Sequence, residues 1–220
     1  MKKLILVIML IGATTFTFAQ SEKYMPAMQA KVAQVDSNNT SDQWKDLANS
    51  FERIGDAEKS QWLPYYYAAY CNVMGGYTSI PQNAGFGDNS ALTDPFADKA
   101  ESLLNKAEAI SKNNAEIYIV WKMIHGLRLM GNAMSRYMTE GAKGTEALEK
   151  AKAINPNIPR IYILEGQDKF FTPEQFGGSK AEAKDLFEKA QTLFASFQPE
   201  TAISPNWGRG TTAYFLSQMK

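Results

Sequence analysis

The sequence predicts an all-α protein, an α-solenoid of about four helix hairpins followed by a C-terminal capping helix. The first observation is a recurring seven-residue phrase, whose apolar residues and alanine lie three apart and so share one stripe of a helix. The copies are FEKAQTL at 187–193, LNKAEAI at 104–110, LEKAKAI at 148–154 and a decayed FERIGDA at 51–57. The second observation is a tyrosine that lies eleven residues after one residue of the phrase. The three pairs are Ile54 and Tyr65, Ala107 and Tyr118, and Ala151 and Tyr162. The helices therefore come in pairs.

Residues 1–19 are predicted to be a cleavable secretory signal peptide. Lys2 and Lys3 precede an uncharged run over 4–18, and small residues ending at Ala19 fit a signal-peptidase site. The run is short for a membrane span of about 20 residues, and no cysteine follows the cleavage point to carry a lipid. We expect an exported, periplasmic or secreted protein with one repeat domain over 20–220 and no stable membrane insertion after cleavage near Ala19.

The composition disfavours several partners and chemistries. The signal peptide holds two of the 23 basic residues, so the mature chain, with 23 acidic residues, has a net charge near −2. This charge gives no electrostatic case for nucleic acid or an anionic membrane. Cys71 is the only cysteine, so no internal disulfide can form, and we expect its thiol to be buried. We predict no cofactor and no metal site, because no metal-ligand spacing is present.

Periodicity and breaks predict the first helices in order. The first lies within 20–37. A second is capped by Ser41 and ends at Gly55 and Asp56, and a third runs over about 60–74 and is rich in tyrosine. Glycine, asparagine and Pro81 predict a long loop over 75–93. Loops of this length are often functional or disordered.

The later helices begin at stronger signals. Asp94 and Pro95 are predicted to open the helix that carries LNKAEAI, and another helix follows over about 115–130. Residues 131–144 are a poorly patterned connection with a helical turn around 134–138. The LEKAKAI helix stops at Asn155 and Pro156, and Pro159 starts the next one, to about Phe170. A capping box of Ser179 with Glu182 is predicted to begin the helix that carries FEKAQTL. A final helix is predicted to begin at Ser204 and Pro205.

Two apparent ligand sites have weak support. GFGDNS at 85–90 suggests a phosphate loop, but it lacks the Gly-Lys-Ser/Thr ending and a preceding strand. Asp88, Asn89, Asp94 and Asp98 could approach a calcium ion, yet their spacing does not follow an EF-hand loop. We interpret these residues as solvated turn and cap residues.

The helix pairs resemble the tetratricopeptide family, whose unit is a helix hairpin of 34 residues. Its second-helix pattern is matched by Ala100-Leu104-Ala107, Gly144-Leu148-Ala151 and Ala183-Phe187-Ala190. Tyr162 and Gly166 match the first-helix pattern, and Pro156 stands at the family's closing proline. The extra length of each unit falls at 75–93, 131–143 and 171–178. The chain also looks like uncharacterised exported bacterial proteins of this kind. The resemblance implies a right-handed stack of hairpins with a concave face, and it implies no reaction.

The main functional prediction is a non-enzymatic interaction or scaffold module of the cell envelope, which binds an unknown protein or peptide in a helical groove. The alternative is a small-molecule or glycan-binding protein with an aromatic-lined groove. Large aromatic residues on the first helices could also simply fill the gaps between those helices. The predicted groove lining is Tyr66, Tyr70, Tyr118, Trp121, His125 and Tyr162.

A third hypothesis is an enzyme. His125 is the only histidine, and with Glu165, Asp168 and Glu174 elsewhere in the chain it could take part in acid and base chemistry. The sequence does not pair these carboxylates, and nothing identifies a nucleophile. We predict no catalytic residue and no enzymatic activity.

Overall fold

The computed structural model describes residues 21–84 and 87–219, and this part of the chain is helical without a strand. The all-α prediction is confirmed. The predicted signal peptide, 1–19, lies outside the described residues, so its cleavage stays a prediction. None of the described helices is long and apolar enough to cross a membrane. The α-helices are α1 Tyr24–Val32, α2 Ser41–Glu58, α3 Trp62–Ser79, α4 Ser90–Ile110, α5 Ala115–Gly131, α6 Ala133–Arg136, α7 Ala142–Ile154, α8 Pro159–Phe171, α9 Lys180–Ser196 and α10 Arg209–Ser217.

Helices that follow one another in the chain pack side by side. α2 packs on α3, α3 on α4, α4 on α5, α5 on α7, α8 on α9, and α9 on α10, while α3 also contacts α5. Short connections between packed neighbours make consecutive helices antiparallel. The helix pairs are α3 with α4, α5 with α7, and α8 with α9. The first helix of each pair therefore ends at the same edge of the stack. We call this edge the loop edge; its connections, as far as the structure describes them, are 80–84 with 87–89, 132–141 and 172–179.

The recurring phrase explains how each pair is held together. Its alanines, Ala107, Ala151 and Ala190, are fully buried, which lets the neighbouring helix approach closely. Its lysine lies over the tyrosine of the first helix in the same pair, a cation–π contact between the two helices. The distances from Nζ to the ring centroid are 5.0 Å for Lys106 and Tyr65, 5.9 Å for Lys150 and Tyr118, and 4.1 Å for Lys189 and Tyr162.

The start of α2 differs from the prediction by one residue. Thr40, not Ser41, is the N-cap, and it forms a complete capping box with Gln43. The Ser41 hydroxyl instead donates to the carbonyl of Gly75 at 2.9 Å and ties α2 to α3. α2 also continues through Gly55, because Lys59 is the residue that adopts the left-handed conformation and ends it.

The predicted loop over 75–93 is shorter than expected. α3 continues through Gly75 and Gly76 to Ser79, and a Cβ on Gly76 would lie 2.4 Å from Cδ2 of Leu127. Glycine is needed there for close contact between α3 and α5 rather than for a turn. α4 begins at Ser90, so Pro95 lies inside the helix instead of opening it.

The poorly patterned connection after α5 is also helical. α6 is followed by a π-helix over Tyr137–Gly141 that continues into α7. Arg136 fixes this segment, since its two terminal nitrogens donate to both carboxylate oxygens of Asp94 at 2.6 and 2.7 Å. The connection is therefore a defined surface.

The prediction of a final helix from Ser204 was wrong. Residues 197–208 are not helical, and α10 begins at Arg209 after Gly208, whose φ is +107°. We call 197–208 the C-terminal strap, because it crosses α3. The Tyr67 hydroxyl donates to the carbonyl of Ile203 at 2.9 Å, and Trp207 Nε1 donates to the Tyr66 hydroxyl at 2.9 Å.

A buried charge holds the strap to the stack. Arg160 of α8 is fully buried and forms an ion pair with Glu116 of α5. Its guanidinium lies 5.0 Å from the ring centroid of Phe197 and 5.5 Å from that of Trp207. Burying an unpaired charge costs several kcal/mol, so the carboxylate of Glu116 and these two rings are what make the position of Arg160 tolerable.

Candidate functional site

Exposed apolar side chains concentrate at the loop edge. Of the ten large hydrophobic side chains that are exposed in the described part of the chain, seven lie at this edge. Contiguous exposed apolar surface on a soluble protein marks a binding site more often than chance exposure does. The seven are Leu92, Met130, Met134, Tyr137, Met138, Phe171 and Phe176.

Four aromatic rings in contact form the best-defined surface of this region, and we call them the aromatic patch. Phe170 and Phe171 end α8, and Tyr214 and Phe215 lie on α10. Phe215 is buried at the centre, with its ring centroid 5.2 Å from Phe170, 5.8 Å from Phe171 and 5.4 Å from Tyr214. Phe171 is 68% exposed and Tyr214 is 59% exposed. The patch offers two open rings on a packed base.

The base of the patch is fixed from below by α9. Phe187 stacks on Phe215 with a centroid distance of 4.7 Å and an interplanar angle of 4°. Gly166 of α8 makes room for Phe187, since a Cβ there would lie 2.8 Å from Cε1 of that ring. The exposed rings therefore stand on a rigid support, as a preformed binding surface requires.

Lys180 brings a positive charge to the patch. It is the first residue of α9, and its Nζ lies 3.2 Å from the ring centroid of Phe170. No carboxylate of the described residues lies within ion-pair distance of Lys180, whereas neighbouring Lys169 pairs with Glu182 at 2.6 Å. The ammonium group of Lys180 is thus available to an anionic ligand.

A second apolar surface lies on the connection between α5 and α7, and we call it the methionine segment: Met130, Met134, Tyr137 and Met138. Met134 is 91% exposed and Met138 is 81% exposed. Methionine side chains adapt to irregular ligands, and π-helical turns are frequent at functional sites. The arginines of this region are already paired, Arg136 with Asp94 and Arg128 with Asp98 and Glu101.

A cleft of about 450 Å³ opens between α7 and α9 above α8. Its lining carries more negative than positive charge. Three of its carboxylates are paired: Glu165 with Lys152, Asp168 with Lys122 and Glu182 with Lys169. Such a lining repels an anionic ligand. The lining residues are Thr145, Leu148, Glu149, Glu165, Asp168, Lys169, Glu182, Asp185 and Leu186.

Three of the six predicted lining residues are inside the protein. Tyr66, Tyr70 and Tyr162 are buried. Tyr66 accepts from Trp207 of the strap, Tyr70 packs against the same indole at 4.7 Å, and Tyr162 donates to the carbonyl of Pro156. Burial raises the pKa of the Tyr66 and Tyr70 hydroxyls well above the usual range. In this structure the strap contacts Tyr66, Tyr67 and Tyr70 of α3.

The other three lie partly buried along α5. Trp121 Nε1 donates to Glu108 at 2.9 Å, and the Trp121 ring stacks on His125 at 6.0 Å. His125 Nδ1 is 2.7 Å from Glu140 of the π-helix. Burial opposes ionisation of Glu140, but hydrogen bonds from His125 and Lys143 hold its pKa below the usual range. Tyr118, the third residue, lies under Lys150. The role of all six residues in binding stays a prediction.

The carboxylates named in the enzyme hypothesis do not meet His125. Asp168 and Glu165 bind lysines in the cleft, and Glu174 lies in a short 3-10 turn after α8. Of the calcium candidates, Asp88 accepts from Ser90, and Asp94 and Asp98 bind arginines. No group of His, Cys, Asp or Glu that could hold a metal ion occurs among the described residues. Burial raises the pKa of the Cys71 thiol.

The aromatic patch and Lys180 were missed by the sequence analysis. The signal that could have found the patch is the Phe170-Phe171 doublet at the end of a predicted helix, where an amphipathic pattern would expose one of the two rings. Lys180 has no comparable signal, because its lack of a carboxylate partner depends on the arrangement of α8 and α9.

A comparison with solved structures finds a similar protein, the HusA haemophore from Porphyromonas gingivalis. The two chains are 33% identical, the match covers 92% of this chain and 95% of that one, and the TM-score is 0.78. No protein-family model and no curated protein matches the sequence. The comparison supports a helical repeat-like fold, while the tetratricopeptide resemblance is not confirmed and stays a resemblance. It also supports a binding protein rather than an enzyme.

Proposed function

The chain belongs to the HusA haemophore family, and on that premise we propose that it is an exported, non-enzymatic protein that captures haem. The name of the relative favours the small-molecule alternative of the sequence analysis over the scaffold module, and it gives no support to a peptide or a glycan as the ligand. Export rests on the predicted signal peptide. The mature protein would be one helical domain over 20–220.

Haem makes specific demands on a binding surface. It is a flat aromatic macrocycle with two apolar faces, and it carries two anionic propionates at one edge. Flat rings are bound best by offset or edge-on aromatic side chains, and carboxylates are bound by cationic or amide N–H groups. The observation that carries the proposal is the aromatic patch, where the rings of Phe171 and Tyr214 are exposed and Lys180, which has no ion-pair partner among the described residues, lies over Phe170.

The other two surfaces fit these demands less well. The cleft between α7 and α9 has a volume of about 450 Å³, but its lining carries more negative than positive charge, which opposes the binding of the propionates. The methionine segment has suitable apolar groups, but the arginines near it are neutralised by acidic residues. We therefore assign the primary haem contact to the aromatic patch.

The test is a haem titration of the mature protein followed by the Soret absorbance. We expect saturable binding, and we expect Phe171→Ala to weaken it by roughly tenfold, since one aromatic contact contributes about 0.5–1.5 kcal/mol beyond its buried area. Ile154→Ala is the matched control, because Ile154 is also exposed but lies at the end of α7, away from the patch. It should bind as the wild type does.

Two results would contradict the proposal. Absence of saturable haem binding by the folded wild-type protein would exclude haem capture. Equal affinities of Phe171→Ala and Ile154→Ala would leave haem binding intact but would remove the aromatic patch as its site. Export is tested separately by N-terminal sequencing of protein secreted from cells, where Gln20 should be the first residue.

A further inference from the structure

We infer that Lys180 binds a carboxylate of the ligand, so that the site selects tetrapyrroles with free carboxylate side chains over uncharged ones. This inference rests on the proposed function, because it concerns the same site. It adds what the aromatic rings alone do not provide, a means to distinguish one flat apolar molecule from another.

The position of Lys180 is set by the fold. Ser179 caps α9 by accepting from the amide of Glu182 at 3.2 Å, and the amide of Ser179 itself donates to the carbonyl of Lys169 at 2.9 Å. These two bonds fasten the start of α9 to the end of α8. Lys180 follows directly and lies against Phe170, one ring away from the exposed Phe171. A planar ligand on Phe171 would bring its edge substituents to this ammonium group.

The other lysines of α9 and the end of α8 are already engaged. Lys169 pairs with Glu182 and donates to the carbonyl of Gly177, Lys184 lies 3.9 Å from Glu188, and Lys189 covers Tyr162. Lys180 and Lys189 each have a neutral ring as partner in the described structure, but only Lys180 lies against a ring of the aromatic patch. The positive end of the α9 dipole adds to the potential at the same place.

A purely structural role for Lys180 makes a different prediction. If its cation–π contact serves only to hold Phe170, its removal should weaken the binding of every flat ligand equally. If it binds a carboxylate, its removal should weaken only ligands that carry one.

The experiment compares haem with its dimethyl ester, in which both carboxylates are neutralised. We expect the wild-type protein to bind haem roughly tenfold more tightly than the ester, as a charge-assisted hydrogen bond at an accessible site allows. Lys180→Gln should lose this preference by weakening haem alone. Lys180→Arg should keep most of it. Lys184→Gln, one turn further along α9, is the matched control and should behave as the wild type.

Each other outcome has a defined meaning. Equal binding of haem and ester by the wild type would overturn the inference and leave the proposed function standing. An equal loss for both ligands in Lys180→Gln would assign Lys180 to the support of Phe170 and would also overturn it. Failure of the wild type to bind either ligand would refute the proposed function, and the inference with it.

Discussion

Tyr65 joins three helices through one side chain. Its hydroxyl donates to Asp56 of α2 at 3.0 Å, and Lys106 of α4 lies over its ring. Burial, with the hydrogen bond to Asp56, raises the pKa of Tyr65 to about 12. The ordinary value in an unfolded chain is about 10. The neutral phenol is therefore favoured by folding, and this contribution is complete below about pH 10 and is lost as the pH rises towards 12.

The protein should lose stability in this alkaline range, and Tyr65→Phe should lose less. Between pH 8 and pH 11 the free energy of unfolding should fall further in the wild type than in Tyr65→Phe, because the unfolded wild type ionises Tyr65 while most of the folded protein does not. The difference should be roughly 0.5 kcal/mol, since solvent screens the partly accessible hydroxyl. Urea unfolding at pH 8, 9, 10 and 11 measures it. Parallel pH profiles for the two proteins would show that Tyr65 ionises equally in both states.

At the scale of helices, small residues set how closely the layers pack. Gly166→Ala places a Cβ 2.8 Å from the Phe187 ring, and overpacking of this kind costs roughly 1–3 kcal/mol. Phe187 supports Phe215, so haem affinity should fall as well. The free energy of unfolding and the Soret titration measure the two effects.

Gly141→Ala is the control for Gly166→Ala. Nothing lies within 4 Å of a Cβ at Gly141, which has helical φ and ψ. The change should be neutral or stabilise by about 0.5–1 kcal/mol, since alanine loses less conformational freedom on folding. A Gly166→Ala protein as stable as Gly141→Ala would mean that α8 and α9 adjust without strain.

Local signals predicted the elements well where a helix has its own pattern. The alanines of the repeated phrase are buried, and Ser179 caps α9. Boundaries failed where packing outweighs propensity. Gly75 and Gly76 stay helical because α3 packs closely there on α2, α4 and α5, and Ser204 with Pro205 resembles a helix start although the strap is held by distant residues.

The site was harder to predict than the fold, because it depends on the whole molecule. The sequence predicts that Tyr66 and Tyr70 line a groove, but in the structure Trp207 covers both. The Trp207 indole donates a hydrogen bond to Tyr66, which lies 141 residues earlier in the sequence. Phe171 and Tyr214 lie on separate helices, and they contact the same ring, Phe215, only because α10 packs beside α8 after the strap has crossed α3. No local pattern encodes such contacts.

The strap should therefore be essential to the stability of the whole chain. Trp207→Ala removes a buried indole, its hydrogen bond to Tyr66 and its contact with Arg160, and should cost about 3–5 kcal/mol. Asn206→Ala, an exposed neighbour, should change stability by less than about 0.5 kcal/mol. Urea unfolding compares the two variants. A loss below about 1 kcal/mol for Trp207→Ala would mean that the strap is only loosely held.

The most direct measurement is the position of iron in a crystal of the haem complex, located by its anomalous scattering. We expect the peak beside the aromatic patch, with the macrocycle against Phe171 and Tyr214 and an edge towards Lys180. A peak over the methionine segment, or in the cleft between α7 and α9, would contradict this account of the site. The absence of bound iron in crystals grown with excess haem would contradict haem capture itself.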